Sequence, residues 1–130
     1  FIVGGQIKGQ PQEIYLVYPQ GNFIRPADSK PYLVIGEVKY GKPILDRVIT
    51  PSVKIGDAAR CALISMDSTL KSDLTVGPPI DFTVLRKDEY KIASQKCLNL
   101  NDEEYSKVCN QWSDGIFKIF NSFPRFDWEK

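Results

Sequence analysis

The sequence contains no histidine, and that single count constrains its chemistry more than any motif does. Ser-His-Asp and Cys-His relays, in which an imidazole carries the proton, cannot be assembled from it. Histidine-ligated metal centres are equally excluded. The side chains left for chemistry are carboxylates, hydroxyls, ammonium groups and the thiols of Cys61, Cys97 and Cys109. Two short stretches gather several of them. Residues 36–42 read Gly-Glu-Val-Lys-Tyr-Gly-Lys. They form a polar loop between a strand-like run and a helix that begins near Pro43. Such a layout suits an ordinary turn, and it also suits a loop that presents side chains above a sheet edge. Residues 71–77 read Lys-Ser-Asp-Leu-Thr-Val-Gly and follow a helical pattern, a place where Ser, Asp and Thr commonly serve as turn residues. Asp67-Ser68-Thr69 adds two hydroxyls, but they fall at the end of a helix with no base nearby. "VGGQIKG" near the start lacks the Gly-Lys-Ser/Thr ending of a phosphate-binding loop.

The elements that must hold these stretches follow from the residue pattern. The chain has 130 residues, with 42% apolar and 25% charged content. That is enough for one soluble domain with one core. "FIVGGQI" and "EIYLVY" read as strands joined by a turn at residues 9–12. "NFIRP" is a short strand at best, and "PYLVIG" is the next, which together make a meander of hairpins. "IYLVY" is apolar on both faces, as in a sheet covered on both sides. Residues 42–49 predict a short helix with Pro43 in its first turn. Ile55, Ala58, Ala59, Ala62, Leu63, Met66 and Leu70 keep the 3–4 spacing of a longer helix. "IDFTVLRKDEYKIAS" reads as a hairpin turning at residues 86–89. Asn101 is placed to cap a last helix, with Glu104 reaching back. The apolar stripe of that helix runs from Tyr105 through Trp112 to Phe123, and Pro124 ends it. Phe126 and Trp128 in the tail call for burial, so the tail is expected to dock. The order is strands, two helices, a hairpin and one helix.

Bulk charge narrows the partners. Seventeen basic residues against sixteen acidic ones leave +1, without the basic excess of a nucleic-acid binder. No apolar run reaches the ~20 residues that span a bilayer. The cysteines are odd in number and form no C-x-x-C, and Cys61 and Cys109 fall on apolar helix faces. A reducing, cytoplasmic setting is expected, with one disulfide as the alternative. The chain opens in strand-like sequence at Phe1, so a preceding segment is expected.

With those residues in place, the sequence resembles part of a proteasome β-type subunit. It is most similar to the bacterial Anbu family, the ancestral β subunits. The likeness is carried by "VGGQIKG" (residues 3–9), "YPQGNFI" (18–24), "IGEVKYGKPILDRVIT" (35–50) and "DAARCALISMDSTLKSDLTVGPPID" (57–81), and beyond Tyr90 it holds in outline only. The resemblance implies an α+β fold: part of the αββα sandwich of N-terminal-nucleophile hydrolases, with antiparallel strands and three helices. It implies that residues 1–130 are the C-terminal portion of one such domain. The activity it implies is peptide-bond cleavage by an N-terminal threonine whose own α-amino group is the base, which needs neither histidine nor cofactor. That threonine would lie before Phe1, so no catalytic residue is expected within the chain.

The same resemblance gives the two stretches a role. The family's Gly-Ser-Gly turn beside the threonine matches Gly36, with Glu37 in place of the serine and Val38 in place of the second glycine. A carboxylate there could pair with the ammonium. The family's Arg-Asp-x-x-Ser-Gly segment matches "KSDLTVG" in one of two registers. One puts Ser72 on the aspartate and Thr75 on the serine; a shift of one residue puts Asp73 on the aspartate. The expected partners are a peptide or unfolded-protein substrate and neighbouring β-type subunits in a homo-oligomer. A non-catalytic assembly module of the same fold is the alternative.

Overall fold

The computed structural model describes residues 1–129. Its strands are β1 (Ile2–Gln6), β2 (Gln12–Val17), β3 (Phe23–Ile24), β4 (Ile80–Leu85) and β5 (Ile92–Leu98). Its helices are α1 (Lys42–Val48), α2 (Ile55–Ser72) and α3 (Glu103–Ser122). The strands form two antiparallel sheets, β1-β2-β3 and β4-β5. The element order is the one the sequence predicts. In the first sheet Gly4 lies opposite Ile14 and Leu16 lies opposite both Ile2 and Ile24. In the second, Ile80 lies opposite Leu98, and an irregularity at Val84/Leu85 leads into the turn. The sheets meet at their turns, where Gln6 Nε2 donates to Asp88 Oδ1 at 2.7 Å and Asp88 N–H donates to Gln6 Oε1 at 2.7 Å.

Two apolar clusters hold the helices in place. Ile80 and Leu98 of the second sheet pack with Tyr105 and Cys109 of α3, while Leu63, Met66 and Leu70 of α2 close the cluster. This is the burial that the 3–4 spacing of both helices calls for. Leu45, Ile49 and Cys61 form the second cluster, with Tyr32, Val34 and Ala58 against it. All three cysteines are free. Burial pushes the Cys61 and Cys109 thiols up, as apolar surroundings disfavour a thiolate.

Several expectations are corrected. Residues 32–35 form no strand. The preceding strand is only two residues long, so nothing pairs with this run, and Tyr32 and Val34 pack against α1 and α2 instead. The cap of α3 is Asp102, not Asn101: its side chain accepts from Tyr105 N–H at 3.1 Å. Glu104 does not reach back to the cap but binds Lys96 of β5 at 2.5 Å. The stripe of α3 is buried only at its start. Trp112 is half-buried, while Ile116, Phe117, Ile119, Phe120 and Phe123 are exposed. The tail is not docked; Phe126 and Trp128 are exposed and stack on each other at 6.0 Å. The sheet around β1 is likewise open, with Val3 and Ile7 exposed, so the expected cover on both faces is absent within these residues.

A polar knot fixes the start of α1, the helix that carries the 36–41 loop. Asp46 accepts from Lys42 Nζ at 2.7 Å and from the Tyr32 hydroxyl at 2.6 Å. Lys30 reaches the Asp46 backbone carbonyl. The ammonium of Lys42, then the Tyr32 hydroxyl, lower the Asp46 carboxyl from 3.8 to about 2. A depressed carboxyl stabilises the fold above its ordinary value, and that contribution disappears as pH falls through its folded value. The difference in melting temperature between Asp46→Asn and the parent is therefore expected to be present at neutral pH. It should close as pH falls from 3.8 to about 2. Thermal melts across that range check it; a gap that persists at the acid end would show that the knot has no linkage to folding.

Candidate functional site

The two stretches singled out in the sequence meet at one end of α2. Gly36 has φ +80°, a left-handed conformation that favours glycine, and it turns the chain out of the 32–35 segment. Glu37 follows and is partly buried. Its Oε1 accepts from Lys39 N–H at 2.8 Å, so the side chain folds back over its own loop. Lys42 N–H donates to Val38 O at 3.2 Å and closes the loop at the start of α1. Pro43 sits in the first turn, where its missing N–H costs nothing.

On the other side, α2 runs out at Ser72, which is exposed. Asp73 caps it, donating its N–H to Thr69 O at 2.9 Å. Asp73 Oδ1 then accepts twice from Thr75, from N–H at 2.8 Å and from the hydroxyl at 2.7 Å. This is the Asp-x-Thr turn that such residues form after helices. The Thr75 hydroxyl and then its N–H lower the Asp73 carboxyl, and the charge of Lys39 lowers it further. That last influence links the loops electrostatically: Lys39 belongs to the Glu37 loop, and Asp73 to the end of α2. The direct approach between the stretches is at Gly41, which packs on Ser65 and Thr69 of α2 one turn before Asp73. Gly36 and Glu37 lie in the loop that leads to Gly41, and Asp73 and Thr75 in the turn that follows the helix. Ser72 is on the same helix end.

Chemically, the hydrogen bonding at Asp73 suits positioning rather than attack. A carboxylate stabilised by two donors is a weak base, and proton transfer needs a base whose pKa lies near the working pH. Asp73 is therefore suited to hold and orient a donor, not to activate the Thr75 hydroxyl. Glu37 Oε1 accepts a single backbone donor, Lys39 N–H. No group of three or more Cys, Asp or Glu among the described residues could hold a metal ion. No helix among the described residues is long and apolar enough to cross a membrane. Lys39 is not singled out by the sequence pattern; its spacing of two from Glu37 is what lets its N–H reach that carboxylate.

Sheets of antiparallel strands with helices of this order define a proteasome β-type fold, the N-terminal-nucleophile hydrolase class, and comparison with solved structures bears this out. An Anbu (Gly-1) mutant from Hyphomicrobium sp. strain MC1 superposes with a TM-score of 0.92 at 44% identity, over 97% of this chain and 55% of that one. Anbu, the ancestral β subunit, from Yersinia bercovieri gives a TM-score of 0.94 at 40% identity, over 97% and 54%. The Anbu complex from Pseudomonas aeruginosa, solved as a helical assembly, gives 0.91 at 42% identity, over 96% and 52%. No protein-family model matches, and no curated protein does. The chain belongs to the Anbu family of proteasome-related subunits, and it spans about half the length of the solved relatives it matches.

Proposed function

We propose that these residues are the C-terminal portion of a threonine-type peptidase subunit, the part that supports the active site rather than the part that attacks. The observation that carries this reading is the meeting of the Glu37 loop and the Asp73–Thr75 turn at one end of α2. Two acceptor carboxylates stand there without a nucleophile or base of their own. An N-terminal threonine with a free ammonium supplies both missing parts. Glu37 is then the acceptor for the ammonium. Asp73 and Thr75 form the second support, with Ser72 as its alternative. The absence of histidine is no obstacle, because the α-amino group carries the proton. The substrate is a peptide or unfolded protein, the setting is cytoplasmic, and the working form is a homo-oligomer of β-type subunits.

One observation favours a second reading, a non-catalytic assembly module: a relative at 42% identity was solved as a helical assembly. The two readings separate on the full-length protein. Under the first, it turns over fluorogenic peptides, and a threonine-directed epoxyketone stops the turnover and leaves a covalent adduct on an N-terminal threonine, seen by intact mass. Absence of both turnover and adduct returns the protein to the assembly reading. Turnover that the inhibitor does not touch would assign another nucleophile.

A further inference from the structure

Gly41 is buried, and its backbone is ordinary right-handed helical at φ −89°, ψ −37°. No L-residue is excluded by those dihedrals; what excludes them is space. A Cβ at this position would overlap Ser65 Oγ and stand 2.9 Å from Ser65 O and 3.0 Å from Thr69 Oγ1. Ser65 and Thr69 are themselves buried in the C-terminal half of α2. The Thr69 hydroxyl donates to Ser65 O at 3.0 Å, so the shelf beneath Gly41 is part of the helix and cannot retreat.

The shelf lies midway between the two halves of the site. From Gly41 the chain runs back through the Lys42-to-Val38 bond to the Lys39-to-Glu37 bond. From Thr69 it runs forward through the Asp73 N–H to the Asp73–Thr75 turn. We propose that Gly41 is a positioning residue. Its missing side chain seats the Glu37 loop on α2, so that the loop and the Asp73–Thr75 turn hold a fixed spacing and move as one unit. The charge of Lys39, which lowers the Asp73 carboxyl after the Thr75 donors, is consistent with that arrangement. The catalytic consequence rests on the peptidase reading above; the seat itself does not.

The test uses the full-length protein with Gly41→Ala and the double variant Gly41→Ala/Ser65→Ala. Amide hydrogen exchange at Lys39 and Lys42, followed residue by residue by NMR, reads the seat. Peptide turnover reads its consequence. In Gly41→Ala, exchange at both amides should rise about tenfold or more, while the amides of β4, β5 and the middle of α2 keep parental rates. The displaced loop should lower kcat by about ten- to a hundredfold, with KM within about twofold. Ser65→Ala removes the worst overlap and should restore part of both, while the close approach to Ser65 O and Thr69 Oγ1 remains. Parental exchange at Lys39 and Lys42 in Gly41→Ala would overturn the proposal. So would a rise spread evenly over the domain that Ser65→Ala does not reverse, because Gly41 would then be a packing residue of the whole fold. If the parent protein shows no turnover, the peptidase reading fails while the exchange measurements still decide the seat.

Discussion

Expressed alone, these 130 residues are expected to self-associate at micromolar concentration and to bind an apolar dye. The largest exposed side chains lie at the end of α3 and in the tail: Phe117, Phe120, Phe123, Phe126 and Trp128, with Ile116 and Ile119 between them. Val3, Ile7 and Phe23 add a second exposed set on the first sheet. Soluble monomers seldom leave contiguous apolar patches beyond ~300–600 Å² in water. The edge of β1 adds unpaired backbone groups that recruit further strands. The interior is correspondingly thin: among the described residues no large side chain is less than 2% exposed. Burying these surfaces is the main source of stability left to the chain, at about 25 cal/mol per Å². Co-expression with the half of an Anbu domain that this chain does not span should suppress both association and dye binding. Light scattering and dye fluorescence measure it. A monodisperse monomer with sharp thermal unfolding and no dye binding would mean that the exposed faces are stable in water.

In the full-length protein, Glu37→Gln is expected to lower kcat/KM while leaving the melting temperature near the parent's. Glutamine keeps an Oε1 acceptor, so the bond from Lys39 N–H that shapes the loop survives. What is lost is the charge facing the proposed ammonium. A hydrogen bond to a charged group contributes about 1.5–3 kcal/mol, which corresponds to about tenfold or more in rate. Glu37→Ala removes the loop bond as well and should also change exchange at Lys39. Equal activity in Glu37→Gln and the parent would make Glu37 an ordinary loop acid. Reduced activity with a matching loss of melting temperature would assign it to the fold instead.

What the sequence determined by itself is local or compositional. The lack of histidine excludes imidazole chemistry from these 130 residues, whatever their fold. The helices α1 to α3 and the β4–β5 hairpin are legible because a 3–4 period or a short alternation records which face each element must bury. The stretches 36–42 and 71–77 are legible as loops because glycine, proline and short polar residues set turn geometry within a few positions.

Tertiary structure decided everything that depends on a neighbour. Residues 32–35 have strand composition, but a strand needs a partner, and here α1 and α2 are the surfaces within reach. Asn101 and Asp102 can both cap a helix; the extended backbone at Asp102, φ −62° and ψ 125°, chose the second. The stripe of α3 is apolar along its whole length, yet periodicity states only that a face wants cover, not what covers it. Its first two turns meet the β4–β5 sheet and its last three do not. Nothing near Gly41 announces its role, since its dihedrals suit any residue. Only the approach of α1 to Ser65 and Thr69, more than twenty positions away, leaves no room for a side chain. Close approach between distant segments is a property of packed volumes, and a linear pattern of residue types carries no record of it.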